Sequence, residues 1–273
     1  MSKAKNMHYL SQFISRNFVK QGETQTFLEY NPKTNVIEER NIKKLFSKRK
    51  TWGQEFEDVL SGDNYENSLA PIIKELANRK ISIGYKIVGS TIEIAQYNGV
   101  PIDNEYQEKM LSKLLLQTIL LQRSNAESDE EIEKILSEFF KIDLNLHLKP
   151  ILVEICPFKN YSPLVLIDSM LFMFACPSIQ EKQVKYHMCF AFPISENRMI
   201  MWINQLDDYY FFAKKFSDIN YLNLCRIEQH NKLCKIALGK SPKNERYLKI
   251  LVAQIEDFST NENIKVKIKR EWE

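Results

Sequence analysis

Ile151-Leu152-Val153-Glu154-Ile155, together with Leu164–Ala175, Tyr186–Pro193 and Arg198–Asn204, decides the fold class of this 273-residue chain. These segments are rich in β-branched and aromatic residues, which suit a pleated and buried surface, so they read as strands. Downstream, Asp207–Phe216, Ile219–Leu238 and Asn244–Asp257 read as helices. Upstream the character changes. Asp103 is placed to cap a long helix whose Met110, Leu111, Leu114, Leu115 and Ile119 form an apolar stripe ending near Arg123. Ser128-Asp129-Glu130-Glu131 opens another helix to Phe140, and Tyr65–Lys80 and Gln54–Leu60 complete a helical layer, with Pro71 as a kink or first-turn residue. Thr26–Tyr30 and Val36–Arg40 flank the turn-forming Asn31-Pro32-Lys33-Thr34-Asn35 and predict a hairpin. Gly84–Val88 and Thr91–Gln96 predict a second, smaller one. Helices with an amino-terminal hairpin, then a mostly antiparallel sheet with helices, make an α+β protein. One domain over residues 1–273 is expected, with 1–149 mainly helical and 150–273 sheet plus helices as its sub-domains.

Composition narrows the class further. With 44% hydrophobic and 11% aromatic residues, the chain can bury a sizeable core. The net charge is only +3, yet residues 1–52 hold 11 Lys/Arg against 4 Asp/Glu, so the basic excess is concentrated near the amino end. No apolar stretch reaches the roughly 18 residues a membrane span needs, and Met-Ser-Lys-Ala-Lys-Asn is not followed by the apolar core of a signal peptide. A cytoplasmic protein without membrane contact is expected. The 5 cysteines, Cys156, Cys176, Cys189, Cys225 and Cys234, are odd in number and include no CxxC pair, which suits reduced buried thiols.

The opening run from His8 to Phe18 places polar side chains among aromatics. His8, Gln12 and Arg16 recur every fourth residue, which predicts a helix carrying its own hydrogen-bonding set into the fold. The run resembles the signature of the bacterial family catalogued as domain-of-unknown-function 4238, a His-Tyr-Val-Pro-Gln-Phe motif followed by Arg and Phe. His8, Tyr9, Gln12, Phe13, Arg16 and Phe18 fit, while Ser11 replaces the proline. Looser likenesses fall at Phe46-Ser47, Glu57, Glu66, Arg123-Ser124, Asp168, Pro193-Ile194-Ser195 and Asn220. The resemblance implies that these residues lie together in space; it implies no established reaction.

Read for chemistry, His8, Glu66 and Asp168 are candidate catalytic groups. Arg16 and Arg123 are candidate phosphate ligands, with Gln12 and Asn220 in support. The set suits an enzyme on a phosphorylated substrate, a nuclease-like effector of a toxin or phage-defence system, with magnesium or manganese allowed as cofactor. The alternative is a buried ion-pair network inside a non-catalytic binding module. Lys43, Lys44, Lys48, Arg49 and Lys50, with Phe46 and Trp52 as stacking aromatics, suit contact with nucleic acid or with an acidic protein. No glycine-rich nucleotide loop and no GxSxG serine elbow occurs. His230 and Cys234, spaced for one helix face, are candidate zinc ligands that His187 and Cys189 approach from a strand. Without CxxC or HExxH, buried thiols explain these residues more simply. Ile264–Lys269 alternates strictly and predicts a lysine-guarded edge strand.

Overall fold

The computed structural model describes residues 6–8, 12–19, 25–49, 65–81, 85–87, 95–123, 148–157, 162–168, 170–180, 183–229 and 234–260. The readings at Gln54–Leu60, Ser128–Phe140 and Ile264–Lys269 lie outside these residues.

The chain is α+β. Its twelve described strands are β1 (Asn6–His8), β2 (Thr26–Asn31), β3 (Val36–Asn41), β4 (Ser47–Arg49), β5 (Tyr85–Ile87), β6 (Ala95–Pro101), β7 (Lys149–Pro157), β8 (Leu166–Ile167), β9 (Phe172–Gln180), β10 (Gln183–Ser195), β11 (Arg198–Ile203) and β12 (Ile236–Gly239). The described helices are α1 (Gln12–Ser15), α2 (Tyr65–Asn78), α3 (Glu105–Arg123), α4 (Leu206–Lys215), α5 (Ile219–Gln229) and α6 (Pro242–Thr260), with a 3-10 turn at Arg16–Phe18. A six-stranded sheet runs β5-β6-β7-β11-β10-β9 and a four-stranded one β3-β2-β12-β8, both antiparallel; β1 pairs with β4 in a separate ribbon.

The six-stranded sheet is covered on both faces, which is why its strands read as nearly continuous apolar runs. Even-numbered Leu152, Phe190, Phe192, Ile194, Ile200 and Trp202 join the core built with Ile14, Phe18, α2 and α3. Odd-numbered Ile151, Val153, Cys189, Ala191, Met199 and Met201 face Tyr209, Phe212 and Phe216 of the α4 layer. A strand with period 2 buries every residue when both faces are packed. The four-stranded sheet turns Leu28, Tyr30, Ile236 and Leu238 onto Leu248, Leu251 and Ile255 of α6. Strand pairing crosses residue 150 in both sheets, β6 with β7 and β2 with β12.

Several elements differ from their sequence reading. His8 lies on β1 opposite Ser47, and the helix begins only at Gln12, so the fourfold spacing of His8, Gln12 and Arg16 does not describe one helical face. Buried Ile14 and Phe18 nevertheless make the opening segment part of the core. Helix α2 ends at Asn78 and contains Pro71 in its interior. Asn104, not Asp103, caps α3: its side-chain oxygen accepts the Gln107 N–H at 3.0 Å. The second hairpin pairs Tyr85–Ile87 with Tyr97–Gly99, a later partner than Thr91–Gln96. Leu164–Ala175 is not one strand but β8 and the start of β9, in different sheets. The helix read over Ile219–Leu238 stops at Gln229, and Ile236–Gly239 becomes a central strand. That segment, Ile236-Ala237-Leu238-Gly239, is fully buried between β2 and β8, and pairing there satisfies its backbone.

At the end of β12 a Cβ on Gly239 would lie 2.5 Å from the Phe18 carbonyl oxygen. Both partners are backbone, so neither yields easily. Gly239→Ala is expected to cost about 1–3 kcal/mol, as overpacking does. Chemical denaturation that leaves the midpoint unchanged would contradict this tight contact between opening segment and sheet.

Candidate functional site

Among the described residues, the densest group of chemically capable side chains lies where α4 meets β9 and β10. Pairing of these strands sets Cys176 opposite His187, and Cys189, two residues further along β10, shares their face. Helix α4 starts over this face and adds Asp208. The ligand-capable atoms of Cys176, His187, Cys189 and Asp208 all lie within 4.8 Å of one another. Cys176, Cys189 and Asp208 are buried, and only His187 reaches solvent, with 24% of its side chain exposed.

Asp208 is held from several sides. Its Oδ2 accepts the backbone N–H of Asn204 at 2.9 Å and of Gln205 at 3.1 Å, so it closes the first turn of α4. Its Oδ1 takes the His187 Nε2–H at 2.7 Å, and the Cys189 thiol points at Oδ2 from 3.5 Å. Cys176 directs its thiol to the Asp208 carbonyl at 3.9 Å. The neighbouring Tyr209 locks the helix in place, since a Cβ on Gly99 of β6 would stand only 2.9 Å from its ring.

Chemically, Cys189 is not an activated nucleophile. The hydrogen bond with Cys176 pushes the Cys189 thiol far up from its ordinary value, and burial and the charges of Cys176 and Asp208 act the same way. A nucleophilic cysteine needs the opposite, an electropositive and accessible setting. All five cysteines are free.

The residues singled out in the sequence distribute as follows. His8 sits in the β1–β4 ribbon, Glu66 is the second residue of α2, and Arg123 is the last of α3. Arg16 is exposed and Gln12 half-buried. Asp168 follows β8, half-buried, with its N–H donating to the Lys235 carbonyl at 3.1 Å. Asn220 belongs to a polar network: its amide donates to Gln254 at 2.8 Å and its oxygen accepts the Tyr247 hydroxyl at 3.1 Å. Tyr247 also meets Asn223, whose oxygen takes a hydrogen bond from the buried Arg226, and burial lowers that guanidinium to about 9. Lys43 and Lys44 are exposed on the turn before β4, and Lys48 and Arg49 lie on β4. Lys50, Trp52, Glu57 and His230 lie outside the described residues.

Two readings are corrected here. Phe46 is 1% exposed and cannot stack on a base. Cys234 is not on a helix with His230; it precedes β12 and packs with Ile227, Ile236 and Leu248, apart from His187 and Cys189. The partners those two actually meet, Cys176 and Asp208, were missed. The signal for Cys176 was present: residues equidistant from a hairpin centre at 181–182 face each other, which pairs 176 with 187. Nothing local marks Asp208, which arrives from another element.

No family model, curated protein or solved structure matches the chain. The class defined by the fold is an α+β protein with a double-covered antiparallel sheet. Among its described residues no helix is long and apolar enough to cross a membrane.

Proposed function

We propose that the protein is a binding module for nucleic acid, engaging the phosphate backbone through its basic amino-terminal surface. The observation that carries this reading is the pairing of β1 with β4, Asn6 opposite Arg49 and His8 opposite Ser47. It sets β1, which Lys3 and Lys5 directly precede in sequence, alongside Lys48 and Arg49 of β4. Buried Glu29 supports the same surface from beneath: its carboxylate accepts the Phe46 N–H at 3.0 Å and so fixes the turn that exposes Lys43 and Lys44. With Phe46 turned inward, the described part of this surface offers charge without an aromatic platform. That favours phosphate contacts over base recognition. An arrangement of this kind binds without needing His8, Glu66 and Asp168 as an acid–base set.

The test is titration of labelled RNA, single-stranded DNA and duplex DNA at several salt concentrations, with and without magnesium or manganese. Affinity is expected to fall steeply with salt. Lys43→Glu with Lys44→Glu should weaken binding and make the salt slope shallower by about 1.5, since each phosphate contact contributes roughly 0.7–0.9. Absence of binding at low salt, or an unchanged slope in the variant, rejects the reading. Metal-dependent cleavage in the same tubes would instead restore the nuclease alternative.

A further inference from the structure

Independently of nucleic-acid binding, we propose that Cys176, His187, Cys189 and Asp208 form a structural zinc site that joins the β9–β10 hairpin to the start of α4. The donor set is the first argument. Two sulfurs, an imidazole nitrogen and a carboxylate oxygen are a complete tetrahedral complement, and sulfur donors select zinc-like ions over magnesium or manganese. Spacing is the second. Tetrahedral zinc, with Zn–S of about 2.3 Å and Zn–N or Zn–O of about 2.0 Å, sets donors roughly 3.3–3.8 Å apart. Atoms already within 4.8 Å of one another reach that by side-chain shifts on the order of 1 Å.

Positioning is the third argument. Asp208 Oδ2 is anchored by the Asn204 and Gln205 N–H groups, which leaves Oδ1 aimed at His187 as the ligating oxygen. Such outer hydrogen bonds orient a metal ligand and raise its affinity. Cys176, His187 and Cys189 are fixed by strand register, so three donors come from a rigid hairpin. Binding releases a proton from each thiol. The His187 proton held between Nε2 and Asp208 shifts to Nδ1 so that Nε2 can ligate, and the ion replaces the hydrogen bond between His187 and Asp208. No bond to carbon changes and no electron is transferred. Four protein donors close the coordination sphere, so the centre holds structure and does not activate water. His187, the partly exposed member, is the side from which the ion enters.

Capping accounts for the Asp208 carboxylate alone; two thiols meet it on an apolar face that also includes Phe174, Phe212 and Ile203. Apolar residues would fill that volume without facing a carboxylate.

The experiment is reconstitution of the reduced full-length protein with zinc, followed by X-ray absorption at the zinc edge and competition titration. Expected are one ion per chain and a first shell of two sulfurs with two nitrogen or oxygen atoms. Zinc should raise the melting temperature of the parent. Cys189→Ser, close in size, should weaken the dissociation constant by about 100-fold or more and abolish that rise, because even outer-shell losses cost 10–100-fold. Less than stoichiometric zinc after reconstitution overturns the proposal. So does a first shell of different composition, or a Cys189→Ser protein that binds as the parent does. The absorption measurement uses the unmodified chain, so it stands even if the variant does not fold.

Discussion

Phe18→Ala is expected to destabilise the protein by about 3–5 kcal/mol, the range for deleting a buried aromatic side chain. Phe18 is 1% exposed and shares one core cluster with Ile14, Leu69, Phe190 and Trp202, which come from the opening segment, α2, β10 and β11. Its backbone carbonyl meets the end of β12 at Gly239, so the cavity opens where two sheets and the opening segment join. Arg16→Ala, two residues away on the exposed side of the same turn, is expected within about 0.5 kcal/mol of the parent. Deleting residues 1–18 removes Ile14 and Phe18 together and should leave no cooperative transition. Urea denaturation checks all three. A truncated protein with the parent's midpoint would show that the opening segment is an appendage and that its aromatic and polar residues serve something other than the core.

Glu29→Ala is expected to cost about 3 kcal/mol, the lower end of the range for breaking a buried ionic group by removing one partner. Glu29 is 2% exposed; it accepts the Phe46 N–H, pairs with Lys235 at 3.1 Å and lies 3.7 Å from Arg40. Lys235 and Arg40 keep 28% and 36% exposure, so water recovers part of their hydration and holds the cost near that end. The larger loss is the Phe46 N–H. It is tied down at a residue whose φ of 51° lies in the left-handed region, a conformation that a bulky side chain adopts only when its surroundings hold it there. Glu29→Gln keeps an acceptor and should recover more than half of the stability. The turn should also loosen, seen as faster tryptic cleavage after Lys43 and Lys44 in Glu29→Ala. Equal stability of the alanine and glutamine variants would mean that charge, not the Phe46 hydrogen bond, is what Glu29 supplies.

Much of the fold was legible from local pattern. The first hairpin, helices α2, α3, α4 and α6 and strands β7, β10 and β11 of the large sheet follow from spacing, turn residues and β-branched content. What misled was context. Residues 219–238 read as one helix, yet β12 has its backbone partners in β2 and β8, and pairing prevailed over helical spacing. His8 looked like part of a helix because residues four apart suggest one, but its backbone is paired with Ser47. Phe46 looked available because it stands among lysines. Burial against Ile42 and Leu45, and a bond to a glutamate 17 residues earlier, placed it inside.

By itself the amino-acid sequence determined the α+β class, the absence of an apolar span in the described helices and the concentration of positive charge near the amino end, because these depend on composition and on period along the chain. Only the tertiary structure decided which side chains meet. Cys176 and Cys189 are joined by hairpin register, Asp208 is delivered by a helix packed across the sheet, and β1 pairs with β4 some forty residues away in the sequence. The arrival of Asp208 and the β1–β4 pairing arise from the packing of whole elements against one another, and no local spacing encodes them.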